Sequence, residues 1–373
     1  MTRVALVHDW LVAHRGGEKV LLELARLFPE APIYTLVFDR RRVHRELAGR
    51  TIITSFIQRL PGAPKRFRPY LPLFPAAIES FDFRAFDLVL STSHCVAKGI
   101  RADAPHLSYV HTPMRYIWDQ LDTYLPRVRG RRLLKAGAEA VAAPLRRWDV
   151  SSSARPTSLV ANSRFVAERI ERFWGRRASV VHPPVDVERF GGRVDQARSG
   201  YLVVNALVPY KRTELAVEFA SRNRIHLTVV GDGSERRALE HIAGPTVCFR
   251  PSVSDAELVE LYRSAKALLH GGIEDFGIAP VEAMAAGCPV VAYGRGGVTE
   301  TVVDGRTGVF FHEPQAAALE AAVRRLDTLD LAAVDIRQHA GRFSGHAFRK
   351  NLLNKIKDLP RGEAMLRNAQ RRV

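Results

Sequence analysis

The sequence predicts an α/β protein of two doubly wound, Rossmann-like domains facing a cleft, and three observations carry that prediction. Short apolar runs alternate with helix-like stretches through both halves of the 373 residues, a pattern that builds parallel sheets. The expected strands end in glycine turns or polar residues, as the ligand-binding edge of such sheets does. A stiff stretch, His182-Pro-Pro-Val-Asp186, stands midway, and a chain of this length is expected to divide in two. The expected domains are 1–190 and 191–344, with the segment 345–373 returning to the first.

Composition bounds what such a protein does. Hydrophobic residues make up 46% and charged residues 25%, which fits a folded chain and excludes a disordered one. No apolar run approaches the roughly 18 residues of a membrane span, and no leader-like segment opens the chain. A cytoplasmic protein is therefore expected, peripheral at most at the inner face of the membrane. Cys95, Cys248 and Cys288 are far apart, without metal-ligand spacing, and fit a reducing compartment. The net charge of +17 is uneven: residues 1–190 hold 31 Lys+Arg against 18 Asp+Glu, the rest 25 against 21. The first half therefore expects an anionic partner, and charge alone leaves nucleic acid and an anionic membrane both open.

Taken in order, Arg3–His8 reads as the first buried strand, Gly16-Gly17 as a turn able to receive a phosphate, and Glu18–Leu27 as a helix. Ile33–Val37 is a second strand. Residues 56–75 interleave Lys65, Arg66 and Arg68 with Phe56, Phe67, Tyr70 and Phe74, which suits a membrane surface or acceptor and equally an ordinary cleft-lining loop. Phe86–Ser91 is a strand with Thr92, Ser93 and His94 at its polar end. His106–Val110 is another, leading into His111-Thr-Pro-Met-Arg115-Tyr-Ile-Trp118-Asp119. Arg115 and Asp119 stand at helical i,i+4 spacing. Arg127–Arg147 is a basic amphipathic segment whose Leu133, Leu134, Ala138, Val141 and Leu145 share a face. Ser158–Ser163 is a strand and helix cap.

The second half repeats the scheme. Gly200–Asn205 is a strand, followed by a loop carrying Lys211 and Arg212. Leu227–Val230 runs into Gly231-Asp-Gly233. Cys248-Phe-Arg250-Pro251 closes another strand, and Asp255–Lys266 is a helix. After Ala267–Leu269 comes Glu274-Asp-Phe-Gly-Ile-Ala-Pro-Val-Glu282, then Gly287-Cys-Pro289 and Gly296-Gly297. Gly277 permits close backbone approach, Pro280 is tolerated in a helix's first turn, and the free N–H groups of that turn form an anion site. Glu274 before the helix and Glu282 one turn inside it offer separated carboxylates for vicinal hydroxyls. A surface helix with two solvated glutamates is the plain alternative for this spacing taken alone.

The block E-x-F-G-x-x-x-x-E followed by A-x-G-x-P-V-V resembles the retaining glycosyltransferases of family 4, which have the GT-B fold. The block around His111 resembles the mannosyltransferase-like branch, of O-antigen mannosyltransferase type. Asn162-Ser-Arg164 and the His182–Asp186 stretch match the family too. The resemblance implies transfer of a hexose, mannose from GDP-mannose first, to a lipid-linked or oligosaccharide acceptor with retention of configuration. It implies that Glu274 binds sugar hydroxyls, that His111 touches the transferred sugar, and that Lys211 meets the diphosphate. Gly16, Gly17, Arg212, Gly233, Arg250, Phe276, Gly277, Ile278 and Glu282 would line the donor. Arg115, Trp118, Lys65 and Arg66 would serve the acceptor, a glycan or polyprenyl diphosphate at an anionic membrane surface. Two departures stand out. Ala206 occupies the place of the family's second basic residue, leaving that charge to Arg212 or Arg115. Pro251, which lacks an N–H, stands where a glycine often meets the base. No Asp-x-Asp pair is present for a metal-held diphosphate, so neither metal nor cofactor is expected, and no protein general base is named. A UDP- or ADP-sugar transferase or a nucleotide-sugar epimerase remains open, as does a non-enzymatic polyanion binder. The spaced carboxylates weigh against the last, and nucleic acid is not an expected partner.

Overall fold

The computed structural model describes residues 2–13, 16–119, 131–192 and 197–366, without the side chains of 131–134. The basic residues Arg127 and Arg129 and the side chains of Arg131 and Arg132 lie outside that description. The chain packs as two compact units: residues 1–184 with 348–373, and residues 185–347.

Unit 1 holds a seven-stranded parallel sheet made of β1 (Val4–His8), β2 (Ile33–Thr35), β3 (Ile52–Thr54), β4 (Leu88–Ser93), β5 (His106–Val110), β6 (Ser158–Ala161) and β7 (Ser179–Val180), in the order β3-β2-β1-β4-β5-β6-β7. β1, β4 and β5 are buried along their whole length, because parallel strands covered by helices on both faces need apolar side chains on both faces. Gly16 and Gly17 do not form a separate turn but open the helix Gly16–Leu27. Ser163 caps the helix Arg164–Trp174 by accepting from Val166 N–H at 3.0 Å, and Gly175 ends it in the left-handed region at φ 65°.

The long helix Arg131–Ser152 corrects one expectation. Its buried residues include Ala142, Leu145 and Asp149, whereas Val141 is 42% exposed. Leu145 is buried and Ala138 half-buried as the apolar pattern expects, but Val141 is not on that face: the buried stripe runs through Ala142, Leu145 and Asp149, so a charged residue shares it. Further along, Phe348, Leu352, Leu353 and Ile356 of the helix Gly345–Lys357 are buried in the core of unit 1 with Leu21, Leu24 and Leu107. The C-terminal helix thus returns to the first domain.

Unit 2 holds β8 (Tyr201–Val204), β9 (Leu227–Val230), β10 (Val247–Arg250), β11 (Ala267–His270), β12 (Val290–Tyr293) and β13 (Gly308–Phe311), parallel and in the order β10-β9-β8-β11-β12-β13. Each sheet reverses strand order once, between β1 and β4 and between β8 and β11. Loops leaving the two strands at such a point diverge, and a crevice opens beyond their carboxyl ends. Among the described residues no helix is long and apolar enough to cross a membrane.

Candidate functional site

In unit 2 the loops beyond β8 and β11 bring together residues some sixty positions apart. Pro209–Lys211 makes a single 3-10 turn and Arg212 takes a left-handed conformation, φ 51°. Gly272 allows the β11 loop to lie against this turn: a Cβ there would sit 3.0 Å from Lys211 Cα. The Lys211 ammonium thereby reaches the Glu274 carboxylate and forms an ion pair with it. His270 Nε2, at the end of β11, lies 3.7 Å from the same carboxylate oxygen. Burial lowers the His270 pKa, against a smaller upward pull from Glu274.

Glu274 is held from behind. Its backbone forms a parallel bridge with Gly296, and its carbonyl accepts from Gly297 N–H at 2.8 Å. A side chain on Gly297 would collide with the Asp275 carbonyl, so the glycine pair predicted from sequence is what lets the β12 loop press on the Glu274 loop. Gly231 and Gly233 do the same for the loop after β8, where a Cβ would strike the Asn205 and Leu207 carbonyls. Gly233 N–H donates to Asp232 Oδ1 at 2.8 Å.

The helix Ile278–Ala285 starts at Gly277, φ 92°, which has no side chain to cap it. The first turn is therefore without a side-chain cap, and a helix N-terminus is a place where an anionic group is favoured. Glu282 follows one turn later, 9% exposed, and accepts from the hydroxyl of the fully buried Tyr262 at 3.2 Å. That hydroxyl sets the orientation of the carboxylate. Phe276 is only 3% exposed, with its ring 5.7 Å from Phe343, so it fixes the loop from inside the core. The Arg212 guanidinium stacks 5.1 Å from the Tyr293 ring, and its Nη1 is buried without a hydrogen-bond partner among the described residues. Arg250 forms an ion pair with Glu257 of the helix Asp255–Ser264.

In unit 1 the ends of β1, β4 and β5 carry three imidazoles. His8 is fully buried, with Nδ1 2.5 Å from Thr92 Oγ1. His94 Nδ1 lies 3.1 Å from Asp9 Oδ2. His111 is half-buried, with its ring 6.2 Å from that of His94. Burial and the neighbouring His94 push His111 down to about 3, and burial first, then His94 and His111, holds His8 well below the usual histidine value. Asp9 organises this edge. Its carboxylate accepts from the N–H groups of His94 (2.6 Å), Cys95 (2.9 Å), Val96 (2.6 Å) and Ala97 (2.7 Å), clamping the loop after β4. Among the described residues no group of three His, Cys, Asp or Glu could hold a metal ion.

The residues expected at an acceptor are more dispersed. Arg115 opens the short helix Arg115–Trp118 and is half-buried. Asp119 pairs with Arg169. The Trp118 indole donates to Asp149 Oδ2 at 2.8 Å and stacks on Phe173 at 4.7 Å. Lys65 and Arg66 are exposed, whereas the neighbouring Phe67 and Phe74 are buried against Trp10. Sequence reading did not single out His8, Asp9, His270 or Tyr262. The available signal was the polar pair His8-Asp9 ending an apolar strand, at the edge where parallel sheets generally bind ligands.

Comparison with known proteins fits this geometry. Residues 186–341 match the model described as "Glycosyl transferases group 1", and residues 14–189 match "Glycosyltransferase Family 4". A D-inositol 3-phosphate glycosyltransferase of Geodermatophilus obscurus is 34% identical over 220 residues, which is 50% of this chain and 49% of that protein. A GDP-mannose-dependent alpha-mannosyltransferase of Mycolicibacterium smegmatis is 32% identical over 186 residues, 45% of this chain and 47% of that one. The chain thus spans about half the length of these curated relatives. Among solved structures, Anabaena HepE in complex with UDP and glucose superposes with a TM-score of 0.69 at 16% identity, covering 96% of this chain and 100% of that one. Sucrose-phosphate synthase from Thermosynechococcus elongatus gives 0.71 at 17% identity, covering 95% and 98%. The fold is therefore GT-B, and by the two models that match its two halves the chain belongs to the family 4 glycosyltransferases.

Proposed function

We propose that the chain is a retaining hexosyltransferase that takes its sugar from a nucleoside-diphosphate donor, GDP-mannose by preference. The observation that carries the reading is the Lys211–Glu274 ion pair beside an uncapped helix with Glu282 one turn in. An ammonium and helix N–H groups suit a diphosphate, and they stabilise the charge that builds as it leaves. Glu274 accepts hydrogen bonds from sugar hydroxyls, and Glu282, oriented by Tyr262, from the ribose diol. Arg212, with a guanidinium nitrogen unpartnered among the described residues, takes up the phosphate charge left unmet at Ala206. Gly233, Arg250, Gly277 and Ile278 line the nucleotide, Phe276 supports them from the core, and Gly16, Gly17 and His111 serve the reacting sugar. Unit 2 is thus the donor half and unit 1 the acceptor half.

The preference for mannose rests on the His111–Asp119 block and on the GDP-mannose-dependent relative. A uridine donor is the second reading, favoured by the likeness to HepE, whose structure holds UDP and glucose. A thermal-shift and slow-hydrolysis screen of GDP-mannose, UDP-glucose, UDP-N-acetylglucosamine and ADP-glucose separates them. GDP-mannose is expected to raise the melting temperature, and Glu282→Ala to abolish the rise. Stabilisation by a uridine donor alone would overturn the mannosyl assignment, and no response to any donor would overturn the transferase reading.

The basic excess of residues 1–190 and the exposed Lys65 and Arg66 support a lipid-diphosphate acceptor at an anionic membrane face, with Arg115 and Trp118 beside it. The protein is then expected to co-sediment with phosphatidylglycerol vesicles at low salt and to be released by about 0.5 M salt, where charge screening is strong. Absence of binding at low salt would remove the membrane from the proposal.

A further inference from the structure

β11 is buried along its whole length and reads Ala267-Leu-Leu-His270, three apolar residues and then an imidazole. His270 is only 2% exposed, and its Nε2 is buried without a hydrogen-bond partner among the described residues. A polar atom taken out of water without a partner destabilises a fold, so packing alone does not account for a histidine at this position. Its surroundings do. Nε2 lies 3.7 Å from Glu274 Oε1, just beyond hydrogen-bond reach, and that oxygen is the one paired with Lys211.

The three groups run from the interior outward. Lys211 and Glu274 keep 13% and 20% of their side chains exposed, whereas His270 keeps 2%. A ligand therefore meets the ion pair and not the imidazole. The link between them is short: Gly271, Gly272 and Ile273 alone separate His270 from Glu274. A Cβ on Gly271 would lie 2.8 Å from the Arg212 carbonyl oxygen, so this link is pressed onto the turn that carries Lys211. Imidazole and ammonium are thereby kept near one carboxylate oxygen. Burial, against the pull of Glu274, lowers the His270 pKa. The ring is neutral and has a single N–H to donate.

Resting on the proposed transferase activity, we propose that His270 is a positioning residue for Glu274. When the donor's diphosphate draws the Lys211 ammonium away, His270 Nε2–H takes the carboxylate oxygen that Lys211 leaves, and the rest of the carboxylate is turned to the sugar hydroxyls. A movement of about 1 Å brings the pair into hydrogen-bond range. The bound sugar covers Glu274 and excludes water, so the imidazole supplies the donor that water can no longer give.

Two measurements on the full chain test this. The first needs no ligand. Lys211→Met removes the ammonium from Glu274, and the His270 Nε2–H proton, read in 15N-histidine-labelled protein and assigned by its loss in His270→Gln, is expected to move downfield as it bonds to the carboxylate. The second is calorimetric titration with GDP-mannose against GDP, and UDP-glucose against UDP. His270→Leu, which keeps the apolar bulk, is expected to weaken whichever nucleotide sugar binds the wild type by about tenfold or more, the loss of one hydrogen bond to a charged group. The matching bare diphosphate is expected to bind nearly as before, because water reaches Glu274 when no sugar covers it. His270→Gln, whose amide N–H comes near the Nε2 position, is expected to recover most of the loss. A merely structural histidine would weaken both ligands alike. Equal losses for the two ligands, or an unmoved Nε2–H proton in folded Lys211→Met, would each overturn the positioning role. Should His270→Leu not fold, the Lys211→Met spectrum decides. A wild type that binds no nucleotide sugar sinks the transferase reading instead, whereas donor binding with either overturning result sinks the role of His270 alone.

Discussion

Lys98 carries its charge fully out of contact with solvent. It follows β4, is fully inaccessible, and lies 2.9 Å from Asp149 Oδ1, equally buried, with its ammonium 4.9 Å from the Trp148 ring and 4.7 Å from the Trp174 ring. Asp149 in turn accepts from the indoles of Trp118 (2.8 Å) and Trp174 (2.7 Å). Taking both ions out of water is offset by their mutual attraction, by the two indole hydrogen bonds and by the donation of Lys98 Nζ to Ser152 Oγ at 2.8 Å. Lys98→Met leaves a buried carboxylate without its counter-ion, and a loss of about 3–5 kcal/mol is expected in denaturant unfolding. Adding Asp149→Leu is expected to recover most of it. A double variant as unstable as the single one would show that the pair is not the source of the loss. The pair is invisible in sequence because fifty residues separate its members, and each alone reads as a solvated charge.

At the level of elements, legibility follows contiguity. Glu274, Gly277 and Glu282 lie on one loop and the helix after it, so their spacing could be read directly, and the strands could be read because apolar runs bounded by turns are a local signal. Three features escaped for the same reason. Asp9 clamps the loop at His94–Ala97 across 85 or more residues, Tyr262 orients Glu282 across a helix–helix contact, and the inner face of Arg131–Ser152 includes a charge that apolar periodicity counts as outward. The glycines were legible as turns, but their purpose was not. At Gly297 and Gly233 the close neighbours are other loops' carbonyls, and only the folded sheet shows which loop each one admits.

For the molecule as a whole, buried histidines set the acid limit. His106 and His111 are pushed to about 3, the first by burial alone and the second by burial and then His94, and His8 is lowered as well. Each binds its proton more tightly when unfolded, near 6.5. The stability they contribute is therefore complete above that value and is lost as pH falls from about 6.5 toward 3, at up to about 1.4 kcal/mol per pH unit for each ring. Denaturant titrations at pH 7 and 5.5, a window in which most carboxylates stay ionised, are expected to differ by roughly 2–4 kcal/mol for the three together. Equal stability at the two pH values would show that these rings titrate normally.

The order of segments along the chain also has a temporal meaning. Unit 2 is one continuous stretch, whereas unit 1 is interrupted after residue 184 and resumes at Phe348. A ribosome adding about 5–20 residues per second needs roughly 8–30 s to cross that gap. Throughout it, the groove that Phe348, Leu352 and Ile356 later fill beside Leu21 and Leu107 stays uncovered on the nascent polypeptide. The half made first is thus the half finished last, and that uncovered groove is where a chaperone would find its substrate.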